Sequence, residues 1–549
     1  MQLSVQGSRN ANTSGGLAYK WIVAIVVIFG AFMSVLDMTI VNTALPRLQN
    51  AFGADLNSVQ WVLTAYTLTQ GVVTPTTAFF TDRIGTKRFY LISIAIFTIG
   101  SAFCGLAWNL PLLITARVLQ GIGGAFLFPL AITMLFNEFP FEQRGLASGL
   151  IGIAALLAPA VGPTLGGYFV TYADWPLIFY VNVPLGLLAI ILGSLLLRDI
   201  RPEARTRFDI PGFILAATGL ASLLYALSDA STDGWGSVKV LGFLTAGLLI
   251  LCVFVVVELA IANRGDHPLV DLRLFANGPF LSSNIANLLI TFAFFGGLFI
   301  FPIYMQNLRG LSALQSGMFM LPSALASIIT TLIGGRLVDR FGVRVIIIPG
   351  LVLMAYSTWQ FSYLSLTMPY WWIQVLYILR GLSLGLIIQP LNVSALSAVP
   401  PRQTAQASSL NSVVRFVSTS LGVAVLATLV QTQAKVHYSH LAELVTPISP
   451  SGQLFARLQA MFQLRGMDLL HAREATVEML IRLVQRQGYV LAMQDAFWLT
   501  LAVSLAAIVA TFLIRAPRRT APTPQPATEE PNKEQTEEEA ARLEAMLAV

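Results

Sequence analysis

Apolar residues in this chain come in long runs of about 17–27 positions, each sufficient for a helix that crosses a bilayer. The runs cover 21–42, 59–80, 89–107, 111–135, 146–170, 176–197, 211–228, 239–262, 279–305, 315–336, 345–365, 371–397, 407–432 and 491–514. The pattern predicts an all-α integral membrane protein with about fourteen spans. Gly and Pro interrupt several runs, which is tolerated where neighbouring helices re-satisfy the backbone.

Polar connections between the runs supply a test of that count, because Lys and Arg collect on the cytoplasmic side. With the N-terminus inside, Arg83, Lys87, Arg88, Arg144, Arg198, Arg201, Arg205, Arg207, Arg264, Arg273, Arg336, Arg340, Arg344, Arg402, Arg515, Arg518 and Arg519 all fall on the inner side. The short outer connections keep Arg47, Lys239 and Arg309. A missed or invented span would scramble this separation, so an even count with both termini cytoplasmic is expected. Residues 1–18 lack a basic start, a short apolar stretch and a cleavage site, so the first run reads as a retained anchor.

Two stretches depart from the membrane pattern. Residues 433–488 place Leu454, Leu458, Met461, Leu469, Leu470, Met479, Leu480 and Leu483 among charged positions. This predicts one or two amphipathic helices on the membrane surface or against a partner, or a lid on the protein's own outer face. Residues 520–549 begin with Pro and Thr and continue with Glu530, Glu534, Glu537, Glu538 and Glu539, a solvated acidic tail.

Composition agrees with the runs. The chain has 549 residues, 56% hydrophobic and 11% charged, with mean hydropathy +0.72; soluble domains carry about 25% charged residues. The net charge of +6 belongs to the inner connections and not to a nucleic-acid surface. Cys104 and Cys252 lie in separate apolar segments and form no disulfide framework. His267, His437, His440 and His471 show no metal-ligand spacing. No G-x-x-x-x-G-K-[ST] phosphate loop is present, and no nucleophile–base constellation points to an enzyme.

Against this apolar background the polar residues carry the chemistry. Asp37 lies within the first run, where an ionised carboxylate costs about 2.5–3.5 kcal/mol on insertion scales. It reads either as a proton-coupling group or as an acid that reaches outer water to cap or pair. Arg117 lies several residues into the fourth run and needs a carboxylate or carbonyl partner; Asp37 is a candidate, and snorkelling to the interface is the alternative.

The chain also repeats itself. Asp82-Arg83-Ile84-Gly85-Thr86-Lys87 in one inner connection matches Asp339-Arg340-Phe341-Gly342-Val343-Arg344 in another. Arg117 with Gly121 and Gly123 then matches Arg380 with Gly381 and Gly385. Two related six-helix halves follow, with runs seven and eight as an inserted pair. The loop residues Asp82, Arg83, Gly85, Lys87, Asp339, Arg340, Gly342 and Arg344 can form an interhelical network that locks one state and breaks when the halves rock. Plain positive-inside loop chemistry is the other reading.

Leu36 to Pro46 (Leu-Asp-Met-Thr-Ile-Val-Asn-Thr-Ala-Leu-Pro), Thr81 to Arg88, Arg117 to Gly124, Gly162 to Gly167, Ile178 to Gly186 and Pro268 to Leu272 together resemble motifs of the major facilitator superfamily. Within it the chain resembles the fourteen-helix EmrB/QacA-type drug:proton antiporters over about residues 20–515. The resemblance implies a proton-relay role for Asp37 and Arg117, and an exporter helix at Gly162, Pro163, Gly166 and Gly167. It departs at Ala78, where the inner-loop motif usually begins with Gly, and at Asp174-Trp175-Pro176, where Trp-Arg-Trp is common. The second loop keeps its glycine, Gly335.

The expected organisation is a cytoplasmic N-terminus (1–20), a first six-helix bundle (21–197), an inserted pair with linkers (198–278), a second bundle (279–515) that includes the outer segment 433–490, and a tail (516–549). Asn42, Gln120, Asn284, Asn287, Phe295, Gln389, Asn392, Asn411 and Arg415 are candidates to line a central cavity; Gln306 adds a further polar group and Phe292, Phe294, Phe299 and Trp359 could stack on a drug. Arg415 could bind an anionic substrate or form a structural ion pair, and Trp371 and Trp372 suit the membrane interface.

The resulting expectation is a proton-coupled exporter of hydrophobic or amphipathic compounds in a bacterial inner membrane, with a proton gradient in place of a cofactor. Export of one defined metabolite, siderophore or lipid through a periplasmic adaptor and outer-membrane channel is the alternative. A membrane sensor that transports nothing would not need Asp37 or the repeated loop.

Overall fold

A computed structural model describes residues 19–512, apart from 55, 141–142, 199–207, 267, 401–402 and 446–449. The acidic tail, His267, Arg201, Arg205, Arg207, Arg402, Arg515, Arg518 and Arg519 therefore lie outside the described residues. Among those described, the regular elements are helices. Thirteen are long and apolar enough to cross a membrane.

The first half contains α1 (Tyr19–Ile40), the short α2 (Leu45–Phe52), α3 (Leu56–Val73), α4 (Thr77–Ile84), α5 (Thr86–Gly105), α6 (Leu110–Glu138), α7 (Arg144–Tyr172), α8 (Leu177–Tyr180) and α9 (Asn182–Leu196). The second predicted run is built in pieces. Pro75 removes a backbone donor, and a 3-10 turn at Thr74–Thr76 separates α3 from α4. This composite is absent from the thirteen single crossing helices and accounts for the difference from about fourteen expected.

Local chemistry fixes several helix starts. Asn109 accepts from the Leu112 N–H at 2.8 Å beside Pro111, and Ser312 and Gln315 form a capping box. Gly85 and Gly342, at equivalent places in the repeated loops, have φ of 89° and 85° with ψ of 149° and 163°. Each ends one helix and starts the next in a conformation open to glycine.

α10 (Ile210–Asp233) and α11 (Val238–Asn263) pack on each other, and α10 also bridges the halves. On one side Trp61 stacks on Tyr225 at 5.6 Å; on the other Thr428 donates to the Ala230 carbonyl at 3.2 Å. The following connection is pinned by acids: Leu269 and Val270 N–H groups donate to Asp209 and Glu258, both at 3.4 Å.

The second half comprises α12 (Gly278–Ile303), α13 (Ala313–Phe341), α14 (Val343–Phe361), α15 (Tyr370–Ser397), α16 (Thr404–Glu443), α17 (Pro450–Leu464) and α18 (Leu469–Phe512). Its aromatic core includes the stacked pairs Phe301–Tyr377 and Phe361–Phe497. α7 and α13 run against each other along the seam between the halves. A Cβ at Gly335 would sit 2.4 Å from the Gly145 carbonyl, and one at Gly317 3.0 Å from the Thr164 nitrogen.

Basic residues gather at one end of the first half. Lys20 donates to Gln143 at 2.7 Å, Lys87 to the Ser194 carbonyl at 2.9 Å, and the Arg198 N–H to the Tyr19 hydroxyl at 2.7 Å. The opposite end holds 433–488, whose helices fold back on the protein's own outer face. Among the described residues there, α17 is the one separate helix, and α16 and α18 continue for 40 and 44 residues, about 60 and 66 Å at 1.5 Å per residue, twice the hydrocarbon thickness. α17 packs on these extensions around a cavity of about 270 Å³ lined by Tyr438, Phe455, Val477 and Leu480. Arg486 donates to the Leu308 carbonyl and His437 pairs with Asp495 at 2.7 Å, which ties the projection to the protein's own surface.

Candidate functional site

Asp37, fully buried on the last turn of α1, lies in a closed polar cluster inside the first half. Arg117 of α6 donates through Nη1 to Asp37 Oδ2. Gln120, one turn along the same helix, donates to Asp37 Oδ1 at 2.8 Å and accepts from Arg117 Nη1 at 2.8 Å. Asn182, at the α8–α9 break, donates to Asp37 Oδ1 at 2.9 Å. Ser101 of α5 takes 3.0 Å and 3.3 Å contacts from Gln120 and Asn182 and donates to the Phe179 carbonyl.

Arg117 is held from several sides. Nε donates to the Val62 carbonyl at 2.9 Å, and the guanidinium lies 4.0 Å from the Tyr66 ring centroid. Its Nη2 and the Asn182 Oδ1 have no hydrogen-bond partner among the described residues. Asp37, Arg117, Gln120 and Asn182 are each 0% exposed. Neither snorkelling of Arg117 nor capping by a water-exposed Asp37 describes this geometry.

Asn182 was not singled out by sequence reasoning, although it lies in the quoted Ile178–Gly186 stretch. Its neighbours Ser101 and Tyr66 carried no signal of their own. Gln120 belongs to this cluster and not to a central cavity. Asn42 also departs from expectation: it is exposed, and its amide reaches back to the Met38 carbonyl at 3.5 Å.

In the second half four expected residues form one amide chain. Asn287 donates to Asn411 at 2.6 Å, Asn411 to Asn392 at 2.9 Å, and Asn392 to Gln389 at 3.3 Å. The chain joins α12, α16 and α15, and the Gln389 nitrogen beyond it is buried without a partner among the described residues. Asn284 instead bonds its own helix at the Phe280 carbonyl. Half-buried Phe295 packs edge-on to Phe294 at 5.0 Å. Gln306 lies in a π-helical turn, Tyr304–Leu308, that follows α12. Trp359 and Trp371 are 40% and 67% exposed, as interfacial anchors would be. The Arg415 guanidinium lies over the Phe128 ring of α6, 3.8 Å from its centroid.

The small residues of α7 explain how it approaches α1. A Cβ at Gly162 would lie 2.2 Å from Thr39 Oγ1, and one at Gly166 2.7 Å from the Ile40 carbonyl. The end of α1 that follows Asp37 therefore rests directly on the Gly162–Gly167 turn, while Gly167 and Pro163 face α13. In the repeated loops, Lys87 binds the end of α9, Arg83 lies 5.9 Å from the Phe79 ring, Arg340 lies over Phe341, and Arg344 donates to the Phe512 carbonyl at 3.2 Å. Asp82 makes further interactions, and the Asp339 side chain lies outside the described residues.

A buried acid–arginine pair in one half, an amide chain in the other and a helix seam between them have the layout of a carrier. The sequence profile of the Major Facilitator Superfamily matches residues 27–423. A "Multidrug resistance protein B homolog" from Mycobacterium tuberculosis is 32% identical over 416 residues, covering 74% of this chain and 76% of that one. The "Tetracenomycin C resistance and export protein" of Streptomyces glaucescens is 32% identical over 428 residues, covering 78% and 79%. The crystal structure of the human organic anion transporter MFSD10 aligns over 89% of this chain and 100% of its own with TM-score 0.58 at 12% identity, a likeness of fold alone. With its helical seam, its buried carboxylate and these relatives, the chain belongs to the major facilitator superfamily of membrane transporters.

Proposed function

We propose that this transporter is a proton-coupled antiporter of the EmrB/QacA type, exporting hydrophobic or amphipathic compounds across a bacterial inner membrane. The observation that carries the reading is the Asp37 carboxylate, 0% exposed and bound by Arg117, Gln120 and Asn182. Protonation removes the charge that Arg117 faces and turns one acceptor oxygen into a donor, so the cluster must rearrange.

That rearrangement is coupled to shape through α7. The end of α1 lies against the Gly162–Gly167 turn, and α7 lies against α13 of the other half. A shift of α1 is transmitted to the seam on which the halves rock. The loops at Gly85 and Gly342 act as the gates at the basic end, opening and closing as the halves move. The amide chain Asn287–Asn411–Asn392–Gln389 supplies hydrogen-bonding groups to the substrate path. The resistance and export functions named for two relatives support an outward direction.

Inverted membrane vesicles with an acidic interior test the proposal. Amphipathic dyes should accumulate when the pH gradient is imposed and leak back when an ionophore collapses it. Accumulation indifferent to the gradient would contradict proton coupling.

A further inference from the structure

We infer that the substrate site on the second half recognises an anionic group attached to an apolar body; this rests on the export reading above. The two halves treat their buried arginines differently. Arg117 meets Asp37. Its repeat counterpart Arg380, 4% exposed, meets no acid among the described residues. Where α1 presents a carboxylate, α12 presents Gly297 and two carbonyls: a Cβ at Gly297 would lie 2.2 Å from Arg380 Nη2. Nη2 donates to the Ala293 and Phe294 carbonyls at 3.2 and 3.4 Å, and Nη1 reaches Thr358 at 3.5 Å, all long for a charged donor.

Arg415 repeats the pattern on α16. It sits about 17 Å along that helix from Thr404, at 1.5 Å per residue, and makes no hydrogen bond or ion pair with the described residues. Its contacts of note are the faces of Phe128 and Phe416. The acids of residues 278–443 are Asp339 and Glu443, both at helix ends. Two guanidinium groups thus stand at membrane depth with no acid paired to them among the described residues.

Both also face the first half. Arg415 lies over Phe128 of α6, and Arg380 borders a cavity of about 40 Å³ shared with Leu156 and Pro159 of α7. Phe294, Met320 and Leu384 complete an apolar wall around the cation. A buried charge such as Arg380 is costly without an acid unless a ligand supplies the partner, and half-buried Arg415 is open to the same ligand. A carboxylate on a hydrophobic molecule matches both: its head takes the arginine fork and its body takes the apolar wall.

Fluorescein and rhodamine 6G test this, because they share a ring system and differ in charge; the first carries a free carboxylate and the second is a cationic ester. Binding is read by dye polarisation on the full-length protein in detergent. Fluorescein should bind more tightly, by about tenfold or more, and Arg380→Gln and Arg415→Gln should each lose about tenfold for fluorescein while leaving rhodamine 6G nearly unchanged. Arg415→Lys should retain part of the preference. Because no acid is left behind, Arg415→Gln should melt no lower than the parent, so the test survives if Arg380→Gln fails to fold.

Equal or tighter binding of rhodamine 6G, no binding of either dye, or equal losses for both in folded Arg415→Gln would overturn the inference. The same dyes in vesicles separate the two readings. Rhodamine movement driven by the gradient without fluorescein preference leaves the antiporter standing and removes anion recognition. Arginine-dependent fluorescein binding without gradient-driven movement does the reverse.

Discussion

Asn182 donates to Asp37 Oδ1 at 2.9 Å from the break between α8 and α9, so the acid of the first span is held by a residue of the sixth predicted run. Hydrogen bonds to charged groups contribute about 1.5–3 kcal/mol, so Asn182→Ala should lower gradient-driven efflux by about tenfold or more. Asn182→Gln, which keeps the donor on a longer arm, should recover part of it. Initial rates in vesicles at fixed expression decide the matter; full activity of the alanine variant would remove Asn182 from the cluster's working parts.

Close approach of α7 to α1 gives a second expectation. Gly162→Ala puts a methyl 2.2 Å from Thr39 Oγ1, a clash on the scale of about 1–3 kcal/mol. The melting temperature of the purified protein should fall, and adding Thr39→Ala should restore part of the loss. No change in the single variant would mean that α1 and α7 do not touch here.

Gly85 and Gly342 share one backbone geometry, at φ 89° and 85°. Alanine at either position would be strained by about 1–3 kcal/mol. Both variants should lower thermal stability by similar amounts, since the same turn is built twice. A large effect at one loop alone would argue against the structural equivalence of the two motifs.

Outside the spans, Asp271 is bound by Arg273 Nε and Nη2, both at 2.9 Å, which holds its carboxyl below the usual range. A lowered carboxyl stabilises the fold above the ordinary aspartate value of about 4 and loses that contribution as pH falls through the lowered one. Asp271→Asn should therefore melt below the parent at pH 7, with the gap closing as the pH drops below about 4. A gap independent of pH would assign the effect to packing.

Much of this arrangement could be read from the chain. The lengths of the apolar runs locate the crossing helices, and the doubled Asp-Arg-x-Gly loop anticipates the paired glycine turns. A buried Asp and a buried Arg need each other, so Asp37 with Arg117 is legible from cost alone. The partners that complete the cluster are not, because which face of a helix meets which neighbour depends on rotation set by packing. Gln120 and Asn42 were equally polar, yet one turns toward Asp37 and the other away. The continuation of α16 and α18 past the bilayer was hidden by a change from apolar to amphipathic composition that does not end a helix.

Proton coupling as proposed depends on Asp37. Its most direct test is gradient-driven dye uptake into inverted vesicles by Asp37→Asn, alongside dye binding to the purified variant. The variant should bind dye yet lose uptake driven by the pH gradient. Gradient-driven uptake at the parent's rate would contradict the account.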